Sequence, residues 1–407
     1  MIFCTLAILL FATACRKEEF KQLPHGEPVP YTDTARHELG SLLGVTPHTL
    51  FYSAWQKSHV ADILMSQGSG VRFTLLAPDD AAMTAAGFDA AGIAASSAEQ
   101  MDSLVRYHLI PQQLDTLAVR QQRGSVRHKS MLTDPVMMEN LNSLGSNVTY
   151  PVPYTYRQYI AMKANGHLIV NGKDAGKATP YYATNGMIWP VNRVLERPRE
   201  SILDLLQRDP RFSIFAQLYQ QTDNIWAEAS MGFYERYTYR RLTPEYGVTI
   251  LSDAFFAPTD EAFRKAGFES VDDLMALNGR SMPYFDWDVF EMRNGFVTDS
   301  LLAYHSWGRF YAPAGPFGIG YLSAAIFYSN DLTNENLADF DLNSSSSGAA
   351  PIYTMPLEFG SDNAGRVTVK VKGTSHAPAT IIEADVNTFQ GPIHIVDELI
   401  LSNKVQY

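Results

Sequence analysis

Short apolar runs recur along the chain in a fixed order, twice over, each stopped by the same punctuation. Arg72-Phe73-Thr74-Leu75-Leu76-Ala77-Pro78 and Asp253-Ala254-Phe255-Phe256-Ala257-Pro258 read as apolar strands closed by proline, whose missing N–H ends a ladder. A helix start follows each one at once. Asp79 and Thr259 stand where an N-cap accepts from free N–H groups, and Asp80, Asp260 and Glu261 suit the positive end of the helix dipole. Both helices run into Gly-Phe, at Ala86-Gly87-Phe88 and Ala266-Gly267-Phe268, where glycine permits a left-handed cap.

The rest of the plan repeats as well. A helix leads into a Tyr-His pair in Ser103-Leu104-Val105-Arg106-Tyr107-His108-Leu109-Ile110 and again in Ser300-Leu301-Leu302-Ala303-Tyr304-His305-Ser306-Trp307. Leu104, Tyr107 and Ile110 fall on one face at helical spacing. Extended apolar stretches after a Gly turn close each copy, Asn185-Gly186-Met187-Ile188-Trp189-Pro190-Val191-Asn192 and Gln390-Gly391-Pro392-Ile393-His394-Ile395-Val396-Asp397. An opening helix pairs Leu50-Phe51 with Ile214-Phe215. The offset between copies grows from 164 at Phe51/Phe215 to 180 at Pro78/Pro258, 197 at His108/His305 and 205 at Gly186/Gly391. Landmarks that keep their order while the intervening loops lengthen describe one domain duplicated.

These blocks resemble those of the fasciclin domain: the Thr-Val-Phe-Ala-Pro-Thr-Asp/Asn block, the Tyr-His block and the terminal Asn-Gly-Val-Ile-His-Val-Ile-Asp block. The likeness covers about residues 35–198 and 199–403. The second copy keeps His394 and Asp397 in its last block, where the first has Trp189 and Asn192. The resemblance implies an α+β chain of two tandem fasciclin-like domains, each a twisted β-sandwich or wedge with helices packed along one side. The expected boundaries are 33–198 and 199–407, with insertions in the second copy near 226–246 and 310–353.

The N-terminus carries a different signal. Residues 1–14 are apolar almost throughout, end in small residues and stop at Cys15, after which Arg16-Lys17-Glu18-Glu19 follows. About 20 apolar residues are needed to span a bilayer, so the stretch reads as a cleaved leader. Ala12-Thr13-Ala14-Cys15 resembles a bacterial lipobox, although Ala12 stands where Leu is usual and no basic segment precedes the apolar run. The resemblance implies lipidation of Cys15, a tether over 15–32, and a place in the cell envelope, on the outer membrane surface.

Composition narrows the function. The formal net charge of −11 speaks against nucleic acid, whose binding depends on Lys and Arg, so membrane contact is expected through the lipid anchor alone. Cys4 and Cys15 are the two cysteines; one leaves with the leader and the other is acylated, which removes thiol catalysis and thiolate metal sites. No His-Glu-x-x-His, Gly-x-Ser-x-Gly, phosphate-loop or calcium-loop motif occurs. Neighbouring carboxylates such as Asp79-Asp80 and Asp272-Asp273 diverge on a helix and suit helix starts better than glycosidase work. The expectation is a protein without catalytic, metal or cofactor residues.

Candidate contact residues come from two sources. The resemblance implies an adhesive surface around Tyr107, His108, Tyr304 and His305. The chemistry of the pair favours a structural role, in which each Tyr packs and each His bonds a nearby carbonyl at a helix-to-strand corner. Aromatics in the insertions, Trp226, Tyr234, Tyr237, Tyr311, Phe317 and Tyr321, suit stacking on sugars or anchoring a protein, or else padding of the core beneath long loops, which is favoured. The reading is a non-enzymatic adhesion or binding lipoprotein with an extracellular protein or glycan partner. An accessory glycan-binding lipoprotein of a nutrient-uptake system is the alternative, and a hydrolase is the least favoured.

Overall fold

The computed structural model describes residues 35–68, 70–142, 149–232, 254–281, 283–288, 291–307, 326–337, 341–343 and 352–403. Cys15, the leader and the tether lie outside the described residues, as do Tyr234, Tyr237, Tyr311, Phe317 and Tyr321.

The first copy opens with helices α1 (Leu39–Leu43), α2 (Thr49–Lys57) and α3 (Val60–Ser66) before strand β1 (Phe73–Pro78). Helices α4 (Asp80–Ala85), α5 (Ala90–Ala95) and α6 (Ala98–Tyr107) follow, then β2 (Leu109–Ile110) and α7 (Thr116–Gln121). The remainder is β: β3 (Val126–Asn142), β4 (Thr149–Met162), β5 (His167–Val170), β6 (Lys173–Lys177), β7 (Tyr181–Ala183) and β8 (Gly186–Val191). One sheet has the order β2-β1-β8-β7 and the other β3-β4-β5-β6. The two repeated apolar blocks meet directly, with β1 parallel to β8 from Phe73↔Gly186 to Pro78↔Val191.

Alternation along β1 and β8 divides the interior of this copy in two. Phe73, Leu75, Ala77 and Ile188 pack under the helices with Leu39, Phe51, Trp55, Met83 and Val105. Leu76, Met187, Trp189 and Val191 face the second sheet, against Tyr107, Tyr154 and Tyr156. The result is a wedge with helices along one side and a sheet along the other.

The second copy repeats the plan with α8 (Ile202–Arg208), α9 (Ser213–Ala229), β9 (Ala254–Pro258), α10 (Asp260–Lys265), α11 (Val271–Ala276), hairpin β10 (Tyr284–Asp286) and β11 (Glu291–Arg293), and α12 (Val297–His305). After β12 (Ser306–Trp307) and α13 (Asn334–Leu337) come β13 (Asp341–Asn343), β14 (Ile352–Thr354), β15 (Leu357–Ser361), β16 (Val367–Val371), β17 (Ala379–Thr388) and β18 (Gly391–Val396). Here β18 runs parallel to β9, ending on Val396↔Pro258. The sheet is continuous, in the order β12-β9-β18-β17-β16-β15. In the first copy the corresponding span breaks between β6 and β7, at Ala178-Thr179-Pro180, where proline has no donor for a ladder. In the second, β17 continues through two register shifts instead.

Three expectations need correction. Ile110 belongs to β2, because α6 ends at Tyr107; the apolar spacing carries across a helix-to-strand corner. Trp226 is not on or beneath a long loop but inside α9, buried with Phe215, Leu218 and Tyr219 along one helix face. The growth between Pro258 and His305 lies largely in the β10–β11 hairpin, outside both of the expected insertions.

From His37 onward the chain is one compact unit. A seam joins the copies: Phe389 of the second enters the core of the first beside Tyr154 and Tyr156, and Tyr159 packs on Tyr328 at 5.3 Å.

Candidate functional site

Each Tyr-His pair closes a helix-to-strand corner. The ring of His108 is fully buried; its Nδ1 bonds Leu104 O at 2.8 Å, and its Nε2 accepts from Leu195 N–H at 2.9 Å. His305 does the same with Leu301 O at 2.8 Å and Ile400 N–H at 3.0 Å. A ring nitrogen that accepts an N–H carries no proton, so each histidine is the neutral Nδ1–H tautomer. Burial pushes both down to about 4, against the carbonyl bonds that favour the charged form. The rings rest on Phe51 and Phe215, which the offset of 164 pairs.

The other candidates are also taken up internally. Tyr107 is 1% exposed and its hydroxyl donates to Glu196 O at 3.2 Å; burial drives its pKa far upward. Trp226 is buried and donates Nε1–H to Asp299 at 2.7 Å. Tyr304 is half-buried against the β9–β18 core. Tyr107, His108, His305 and Trp226 therefore offer no surface to a partner: each one's polar atoms are bonded within the fold. The structural alternative describes the Tyr-His corners.

Asp80 and Asp260 start their own helices and also cap a second one. Asp80 accepts from Leu50 N–H at 2.9 Å and from the Thr49 hydroxyl, and Asp260 from Ile214 N–H at 2.9 Å and the Ser213 hydroxyl. Each carboxylate so pins the opening helix of its copy to the strand exit. The expected caps are present, Asp79 accepting from Ala82 N–H at 2.7 Å and Thr259 from Ala262 N–H at 3.3 Å.

Two buried carboxylates of the second copy, unmarked by any sequence motif, hold the seam. Asp331 accepts from Ser125 N–H at 2.8 Å and the Ser125 hydroxyl at 3.0 Å across the copies, and from Tyr328 N–H at 3.1 Å. Burial raises it to about 6, opposed by the Ser125 bonds. Asp385 accepts from Ser329 N–H at 2.7 Å and its hydroxyl, and its carboxylate lies where a Cβ on Gly172 would sit, 2.3 Å away. Gly172 has φ +77, so this contact demands glycine twice over.

Outside the corners, the β10–β11 hairpin presents Tyr284, 56% exposed, and Trp287, 51% exposed. Among the described residues no cluster of three or more His, Cys, Asp or Glu is arranged to hold a metal ion. No helix among them is long and apolar enough to cross a membrane.

With this geometry in hand, comparison with known families is specific. The fasciclin domain model matches residues 46–197. The chain contains a fasciclin domain. That span runs from the approach to α2 through β8 and includes the first Tyr-His corner. The second copy shares the parallel β9/β18 pairing, the Asp260 clasp and the His305 corner with the fasciclin domain of the first, and the pair is a tandem fasciclin fold. Among solved structures, the FAS1 domain pair of the insect cell adhesion molecule fasciclin I is similar over 88% of this chain and 97% of its own, at 15% identity and a TM-score of 0.30. No curated protein matches the chain.

Proposed function

We propose that this tandem fasciclin protein is a non-enzymatic binding protein of the cell envelope, anchored through a lipid on Cys15, that contacts a protein or glycan outside the cell. The observation that carries the reading is the use of the reactive-looking side chains. The histidines and carboxylates of the two corners are bonded inside the fold, in the same way in each copy. Contact then falls to the outer surface, where Trp287 and Tyr284 stand on a hairpin that the first copy lacks.

A glycan-capturing role within a nutrient-uptake system is the second reading, favoured by the same two aromatics, since exposed rings stack on sugar faces. Two measurements test the proposal. Growth with labelled palmitate should label the wild type and not Cys15→Ser; equal labelling of both removes the anchor. Beads coated with the purified chain should bind cells or a glycan panel, and Tyr284→Ala/Trp287→Ala should weaken that binding about tenfold or more. Wild-type beads that bind nothing contradict the proposal.

A further inference from the structure

The second copy closes on the first at a turn between α7 and β3. There Arg123 donates from its guanidinium to Glu335 O, the Ser125 hydroxyl accepts from Asn330 Nδ2 at 3.1 Å, and the Ser125 N–H and hydroxyl both donate to Asp331. Gly124 stands between them with φ +90, and a Cβ there would lie 3.1 Å from the same carboxylate. The partners all come from one short stretch, the Ser329–Asp331 turn and α13. It begins beside Tyr328, which packs on Tyr159 and donates its hydroxyl to Asn387 at 2.9 Å.

Asp331 is 2% exposed, and the groups that bond it are neutral. Its Oδ1 accepts from the Ser125 N–H, the Ser125 hydroxyl and Asn330 Nδ2, and its Oδ2 from the Tyr328 N–H at 3.1 Å. Among the described residues it forms no ion pair. On the elements packed here, the charged and titratable groups of the first copy are Arg123, whose guanidinium is spent on the Glu335 carbonyl, and Arg127, Arg157 and Tyr159. Those of the second are Tyr328, Glu335, Asp385 and His394, whose Nδ1 lies 3.8 Å from the Asp385 carboxylate. Burial withholds the water that would solvate a charge on Asp331, and Asp385 adds repulsion. Neutral donors repay only part of that desolvation.

We propose that Asp331 makes this contact a proton-operated clasp: with a proton on its carboxyl the stretch from Ser329 to Leu337 stays fastened to the Arg123–Ser125 turn, and once the proton leaves for solvent the stretch lifts from the first copy far more often. The apolar part of the seam, with Phe389 against Tyr154 and Tyr156, stays closed in both states. The clasp is a property of the fold, whatever the chain binds.

Its direction follows from where the proton is held. In the closed seam the carboxyl is raised from 3.8 to about 6; lifted into water it returns to its ordinary value. Closure is therefore favoured fully below about pH 4 and weakens as pH rises through about 6. The corner histidines respond oppositely, their contribution being lost towards acid.

Amide exchange of the full chain by NMR at about pH 5 and about pH 7.5, each rate divided by the intrinsic rate at that pH, tests this. The N–H groups of Ser125 and Tyr328, both bonded to Asp331, should be about tenfold better protected at the lower pH. Those of Leu195 and Ile400, bonded to His108 and His305, should show no such gain. Asp331→Asn, uncharged at either pH, should give Ser125 about equal protection at both. Glu335→Gln, which neutralises an exposed carboxylate of the same stretch, should keep the wild-type ratio. Equal protection of Ser125 and Tyr328 at the two pH values, or greater protection at the higher one, overturns the clasp, and this wild-type result stands whether or not Asp331→Asn folds. A tenfold ratio that survives in Asp331→Asn places the proton on another group and overturns it as well.

Discussion

His108 accepts a hydrogen bond from the Leu195 N–H at 2.9 Å, tying the end of α6 to the chain just beyond β8, 87 residues later. His305 and Ile400 repeat the bond at 3.0 Å in the second copy. Two buried imidazoles thus perform one task twice, bridging a helix C-terminal carbonyl and a strand-exit amide.

Replacing either histidine by alanine should leave that amide and carbonyl buried without partners and open space beside Phe51 or Phe215. Each substitution is expected to cost about 3 kcal/mol, measured as a fall in the urea midpoint. A change below about 0.5 kcal/mol would show that the corner carries no stability.

Acid should loosen the fold through the same residues. Their folded pKa, about 4, lies below the ordinary 6.5, so the unfolded chain binds more protons in between. The stability is fully present above about pH 6.5 and is lost as pH falls towards 4, by roughly 3 kcal/mol for each ring. Denaturation curves at successive pH values read this slope.

Asp331 works in the opposite direction. Its folded pKa is raised from 3.8 to about 6, so its contribution is present below the unfolded value and is lost as pH rises through about 6. Asp331→Asn should remove this component and make the acid-side loss steeper over about pH 4 to 6, seen by comparing the two pH–stability profiles.

Glycine substitutions should separate the seam from the helix ends. Gly87 and Gly267 have φ of +82 and +89, with open space where a Cβ would project, so Gly→Ala there should cost about 1 kcal/mol. Gly172→Ala adds the collision with Asp385, and about 3 kcal/mol or more is expected. Asp385→Ala in the Gly172→Ala background should restore part of the loss in thermal melts.

Much of the fold was legible because its punctuation is local. Pro78 and Pro258 end strands, Asp79 and Thr259 cap the helices that follow, and Gly87 and Gly267 close them, each through chemistry confined to a few residues. Repetition marked the strands themselves, whereas the parallel pairing of β1 with β8 and of β9 with β18 emerged only in the structure. The seam was not legible, since Asp331 meets Ser125 across 206 residues with no counterpart in the first copy to mark it. Nor did sequence distinguish a surface aromatic from a buried one: Trp226 is core and Trp287 is exposed, and only the packing of α9 against α12 separates them.

The Tyr-His corners are internal supports, each imidazole bonded to a carbonyl and an amide of its own copy. Nitrogen-15 NMR of the imidazole rings, followed from about pH 8 down to about pH 5, tests this most directly. His108 and His305 should both remain neutral Nδ1–H tautomers across that range. Titration of both rings near the ordinary value of about 6.5, as for histidines on an exposed contact surface, would contradict it.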